Sequence, residues 1–186
     1  MNRLDNKLSI RKLNKNEKVN SFDCGDADLN EFILNESVLY RKALLAVSYV
    51  VEDLTDRQVL AYFSLANDRV SLSDFGSKTE FNRFRKHRFV NEKRLKSYPA
   101  SKVCRLGVDL SAKGMRIGSY LIDFIKSYFL VDNKTGCRFL TVDAYADAIP
   151  FYLKNGFVPL NDEDADSDTR LLYFDLATIA DDELDD

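Results

Sequence analysis

One histidine, no tryptophan, three cysteines and three prolines are spread over 186 residues, and each scarcity removes a class of chemistry. The lone His87 sits among Arg85, Lys86 and Arg88, so a zinc site or a histidine-based triad has almost no raw material. Cys24, Cys104 and Cys137 are odd in number and form no CxxC pair, which argues against a disulfide framework and a thiolate metal site. No apolar run approaches the length of a membrane span, and Met1-Asn2-Arg3-Leu4-Asp5 lacks the apolar core of a signal peptide. Net positive charge is missing too. A formal charge of −3 and a pI near 5.3 argue against a globally basic nucleic-acid binder. The expectation is a soluble, reduced, cytoplasmic protein with no metal and no membrane contact.

What is present is a foldable core. Apolar residues make up 45% and aromatics 12%, which excludes wholesale disorder, and the length suits one domain over residues 1–186. Leu8 to Leu13 alternates apolar and polar residues as a short strand does. After the turn Phe22-Asp23-Cys24-Gly25, Asp26 or Asp28 can cap a helix over 27–42, with Leu29, Phe32, Ile33, Leu39 and Tyr40 as its buried stripe. Leu44–Glu52 and Val59–Leu65, joined by polar residues, predict an antiparallel hairpin.

Residues 69–99 break this rhythm. From Lys78 to Lys96 eight basic residues face only Glu80 and Glu92, a local charge of +6, with Phe81, Phe84 and Phe89 interleaved. A basic aromatic patch for RNA is one reading. The preferred reading is a partly helical excursion whose phenylalanines anchor it while its charges face water, ended by Pro99.

Beyond it, Val103-Cys104-Arg105-Leu106-Gly107-Val108 reads as a strand. A loop with Gly114 and Gly118 follows, then an amphipathic helix to about Val131 with Ile117, Leu121, Ile122 and Ile125 at helical spacing. Strand, glycine loop and helix start aim backbone N–H groups and a positive helix end at one place, which suits a phosphate. A turn at Asp132–Gly136, a strand at Cys137–Asp143 and a helix over Ala148–Asn155 come next, the helix capped by Asp147 with Pro150 in its first turn. Strands at Phe157–Leu160 and Arg170–Leu176 flank the acidic loop 161–168, and the tail at 177–186 is acidic again. The expected fold is α/β: a mixed, mostly antiparallel sheet of six to seven strands with helices on both faces.

The glycine loop and the later run Phe151-Tyr152-Leu153-Lys154-Asn155-Gly156-Phe157 occur together. In this pairing the sequence resembles the GNAT superfamily of acyl-CoA-dependent N-acetyltransferases, which has an Arg/Gln-x-x-Gly-x-Gly/Ala loop and a later Phe/Leu-Tyr-x-x-x-Gly-Phe. The resemblance implies acetyl-CoA as acyl donor. Its pantetheine arm would pair with the backbone of Leu106, Gly107 and Val108. Its pyrophosphate would rest on the backbone of Lys113, Gly114, Met115, Arg116, Ile117, Gly118 and Ser119, and Tyr152 would protonate the leaving thiolate. This chain departs from the family at Lys113, at Arg116, which replaces a glycine, and at Tyr145, where many members carry an asparagine. No general base stands out, with Glu36, Glu52 and Asp109 as the candidates.

The resemblance implies acetyl transfer to a primary amine of a small molecule or a protein. The runner-up is the toxin-type GNAT subgroup, which acetylates the amino group of aminoacyl-tRNA and pairs with a DNA-binding antitoxin. The basic segment favours it and the low pI opposes it. A non-catalytic acyl-CoA-binding module is a further alternative, and a homodimer fits the family. A plain dinucleotide-binding enzyme is disfavoured, because no ribose-binding acid follows the glycine loop within a parallel βαβ unit.

Overall fold

Apolar periodicity sets most of the elements in the computed structural model, which describes residues 7–90, 94–131 and 135–182. The strands are β1 (Leu8–Lys12), β2 (Val47–Asp53), β3 (Val59–Ser71), β4 (Ser97–Val108), β5 (Phe139–Tyr145), β6 (Val158–Pro159) and β7 (Thr169–Asp175). The helices are α1 (Ala27–Glu31), α2 (Ser37–Lys42), α3 (Lys78–Lys86), α4 (Ile117–Val131), α5 (Ile149–Lys154) and α6 (Ala177–Asp182). The strands form one seven-stranded sheet in the order β1-β2-β3-β4-β5-β7-β6. It is mostly antiparallel, with a parallel β4–β5 pair in register from Ala100 opposite Phe139 to Lys102 opposite Thr141. The chain packs as two compact units: residues up to Ala66 with Val103–Phe124, and Asn67–Lys102 with the chain from Ile125 onward.

In the first unit β1, β2 and β3 form the expected hairpin and its neighbour. The helical region over 27–42 is not one α-helix. Asp26 caps α1 by accepting from the Leu29 amide at 2.9 Å, and a π-turn over Phe32–Glu36 then separates α1 from α2. That i→i+5 turn adds one residue to the register. Ser37, Val38 and Arg41 therefore face inward, while Leu39 and Tyr40, expected in the buried stripe, are exposed. The helix ends with Leu44 at φ 59°, its N–H on the Arg41 carbonyl and that of Leu45 on the Tyr40 carbonyl. This is the left-handed closure glycine usually supplies, and it delays β2 to Val47 instead of Leu44. The core holds Leu13, Val19, Phe22, Phe32, Ile33, Val50 and Tyr62.

In the second unit the phenylalanines of the basic segment are core. Phe81 and Phe84 of α3 cluster with Phe75, Tyr98, Phe139 and Tyr173. Pro99 does not end that segment. It lies inside β4, where its carbonyl accepts from the Arg138 amide at 3.0 Å. β3 also runs on to Ser71, six residues past its expected end at Leu65, so the break falls later than the sequence indicates. Asp147 is not the cap of α5: Ala148 holds that position without a side-chain cap, although Pro150 does fall in the first turn. Pro159 sits in the edge strand β6, where a missing N–H costs no interior pairing. Glu92 and Lys93 of the basic segment, Asp132–Lys134, and the residues before 7 and after 182 lie outside the described residues.

Among the described residues no helix is long and apolar enough to cross a membrane, and no three His, Cys, Asp or Glu side chains group as metal ligands do.

Candidate active site

The loop between β4 and α4 is built by local sterics. Asp109 begins a turn of 3-10 helix at Leu110–Ala112, and Gly114 then adopts φ 85°, the left-handed region where glycine has no Cβ penalty. Nothing lies within 4 Å of where its Cβ would be, so the loop is open there. Arg116 is also left-handed, at φ 58°. The family pattern places a glycine at this position, and the backbone shows why. An arginine there carries a steric cost of roughly 1–2 kcal/mol.

The Arg116 carbonyl accepts from Tyr120 and opens α4, so the amides of Ile117, Gly118 and Ser119 fall in the first turn, where no intrahelical acceptor exists. The amides of Lys113 and Met115 are engaged by the turn itself, on the carbonyls of Leu110 and Ala112. Lys113 and Arg116 are exposed beside this positive helix end. Ile117, Leu121, Ile122 and Ile125 are buried, as their spacing predicts.

The turn Phe22–Gly25 buttresses this loop, a role the sequence alone did not disclose. The amide of Asp23 donates to Asp109 Oδ2 at 2.9 Å, and the amide of Leu110 donates back to the Asp23 carbonyl at 2.8 Å. A Cβ on Gly107 would meet Phe22 and Leu29 at 3.2 Å, so the glycine in Leu106-Gly107-Val108 lets this segment lie directly on β4. The adjacency of Phe-Asp-Cys-Gly to a helix cap was the only hint.

Tyr152 stands in the other unit, on α5. It is 6% exposed and meets Phe151 and Phe157 edge-on, at 5.1 and 5.4 Å between ring centroids. Burial pushes its phenol up to about 12. Gly156, at φ 82°, lets Phe157 turn back after the helix.

The candidate bases separate cleanly. Asp109 accepts from the Asp23 amide, the Ser111 amide and the Ser111 hydroxyl. Burial works to raise its carboxyl, but these bonds outweigh it and hold the group below the usual range, which suits a structural pin better than a base. Glu52 is buried and paired with Arg11 at 2.5 Å. Glu36 is exposed at the end of the π-turn.

Of the basic segment, Arg85 donates to the carbonyls of Arg94 and Leu95. Arg88 lies over the Phe84 ring and bonds Tyr173 and Asp175. Lys78, Lys86 and Lys96 remain exposed.

Comparison with known proteins adds to this geometry. Residues 84–174 match the acetyltransferase (GNAT) domain family. No curated protein matches. Among solved structures, AtaT complexed with acetyl-methionyl-tRNAfMet is 25% identical, with a TM-score of 0.70 over 93% of this chain and 97% of that one. A tyrosine-to-phenylalanine mutant of AtaT, bound to the C-terminus of the antitoxin AtaR and acetyl-CoA, is 24% identical, with a TM-score of 0.67 over 94% and 96%. A tyrosine-to-phenylalanine mutant of KacT is 22% identical, with a TM-score of 0.74 over 94% and 98%.

Proposed function

We propose that this chain, whose residues 84–174 match the acetyltransferase (GNAT) domain family, moves the acetyl group of acetyl-CoA to the α-amino group of an aminoacyl-tRNA. The observation that carries the catalytic half is the loop Lys113–Ser119, open at Gly114 and turned by two left-handed residues into the start of α4. The amides of Ile117, Gly118 and Ser119, with the helix dipole behind them, suit the donor's pyrophosphate. Lys113 and Arg116 add charge at its rim. The backbone of Leu106, Gly107 and Val108 would pair with the pantetheine arm, and one of its N–H groups would polarise the thioester carbonyl.

Attack of a neutral amine on that carbonyl expels a thiolate, which needs a proton. Tyr152 supplies it in this reading. With its phenol pushed up to about 12, Tyr152 stays protonated throughout the range in which an amine can act. Rising pH therefore frees the acceptor amine, of ordinary pKa about 7.7–8 for an α-amino group, well before it deprotonates Tyr152. Activity should rise through the amine's range and hold a plateau beyond it, and a fall setting in at neutral pH would contradict the assigned proton donor.

The acceptor half is supported by the likeness to AtaT along nearly the whole chain and by exposed Lys78, Lys86 and Lys96. An antitoxin partner is part of the same reading.

The test uses labelled acetyl-CoA with charged tRNA, uncharged tRNA, free amino acids and lysine peptides. Label should enter charged tRNA far faster than any of the other acceptors. Tyr152→Phe should lower kcat about 10²–10⁴-fold with little change in KM for acetyl-CoA. Label in peptides or free amines but not in charged tRNA would overturn the acceptor. Acetyl-CoA binding without any transfer would overturn the catalysis.

A further inference from the structure

We propose that Arg105 and Tyr40, spaced by Phe32, form a subsite for the 3′-terminal nucleotide of the acceptor, an inference that rests on the aminoacyl-tRNA reading above. The guanidinium of Arg105 lies 4.9 Å from the centroid of the Phe32 ring, and Phe32 meets Tyr40 edge-on at 5.2 Å. The three side chains thus form a short ladder in one unit. Its two ends are open: Arg105 is exposed and Tyr40 is 41% exposed, while Phe32 between them is buried.

Two features set this ladder apart from ordinary surface. The first is that Tyr40 is outside because the π-turn over Phe32–Glu36 shifts the register of α2, against a sequence pattern that places it in the core. The second is that Arg105 keeps its charge available. Its Nη1 donates to the carbonyl of Cys104 at 2.8 Å, and among the described residues no carboxylate pairs with it. Arg105 also directly precedes Leu106–Val108, the stretch assigned to the acyl donor, and shares a strand face with Gly107 two residues on. Gly107 in turn lies against Phe22 and Leu29, from the segment that carries Phe32 and Tyr40.

An unneutralised cation and a displayed aromatic ring, held one buried ring apart, are the pair of groups that reads single-stranded nucleic acid: phosphate on the guanidinium, base on the ring. The 3′ end of a tRNA is single-stranded and presents both. A lysine peptide or a small amine presents neither.

The experiment compares charged tRNA with an amino-acid amide that has the same α-amino group and no nucleotide. Tyr40→Ala should lower the ratio of kcat/KM for charged tRNA over the amide about tenfold, as loss of one base stack does. Tyr40→Phe, which keeps the ring, should restore the ratio. Arg105→Ala should flatten the dependence of log kcat/KM on log salt by about 0.7, the share of one phosphate on a single strand. If the wild type acetylates charged tRNA and these ratios and slopes do not move, the subsite is wrong while the acceptor stands. If the wild type acetylates no charged tRNA, the acceptor reading fails first and takes the subsite with it.

Discussion

The loop Lys113–Ser119 and the segment Lys78–Lys96 both hold clustered cations, yet they use them in opposite ways. In the loop, left-handed turns at Gly114 and Arg116 lead into the first turn of α4, whose amides have no intrahelical acceptor, with the side chains of Lys113 and Arg116 in water around them. In the segment, Phe81 and Phe84 enter the core, Arg85 closes carbonyls and Arg88 is held by Phe84, Tyr173 and Asp175. Arg83 and His87 share a cleft with Glu80, Asp162 and Glu163, so acids answer part of what remains. A count of charges therefore misleads in both directions. The segment with the larger formal charge is chiefly architecture, and the loop with two cations is proposed to bind through backbone that has no formal charge at all.

Substitutions can break this contrast, and the largest effect is expected in the segment. Phe84→Ala should cost about 3–5 kcal/mol of stability, because the ring packs on Phe75, Phe139 and Tyr173 with 5.1–5.6 Å between ring centroids. Denaturant melts would register it, while the acetyl-CoA affinity of the folded fraction should hold. A stable variant with lost affinity would reverse the roles drawn above.

Gly118→Asp is the counterpart in the loop. A carboxylate set against a pyrophosphate costs several kcal/mol, so calorimetry should find acetyl-CoA binding lost with the melting transition near that of the wild type. Unchanged affinity would remove the loop from the binding site.

The smallest effect belongs to Arg116→Gly. Relief of the left-handed strain, offset by glycine's greater freedom when unfolded, should stabilise by about 1 kcal/mol or less. Affinity should stay within about threefold if backbone amides are the principal donors, since a charge-assisted bond is worth roughly 1.5–3 kcal/mol. A loss well beyond that would mean that the arginine side chain, not the loop backbone, carries the phosphate.

Much of this was written in the sequence, and the reason is range. Helical spacing at Ile117, Leu121, Ile122 and Ile125, the need for glycine at 114 and the cap at Asp26 are local matters of sterics and periodicity, readable within a few residues. The motifs at Lys113–Ser119 and Phe151–Phe157 are each contiguous, which is why a resemblance could be read from them, while the roles it implies stay proposals. What the tertiary structure decided was every choice of partner. It settled that Leu39 and Tyr40 face out after the π-turn, that Pro99 is tolerated inside β4, and that Asp109 is a pin for Asp23. It also settled how Arg85 and Arg88 are engaged, because a buried ring or a distant carbonyl fixes a guanidinium only once the chain has brought the two together.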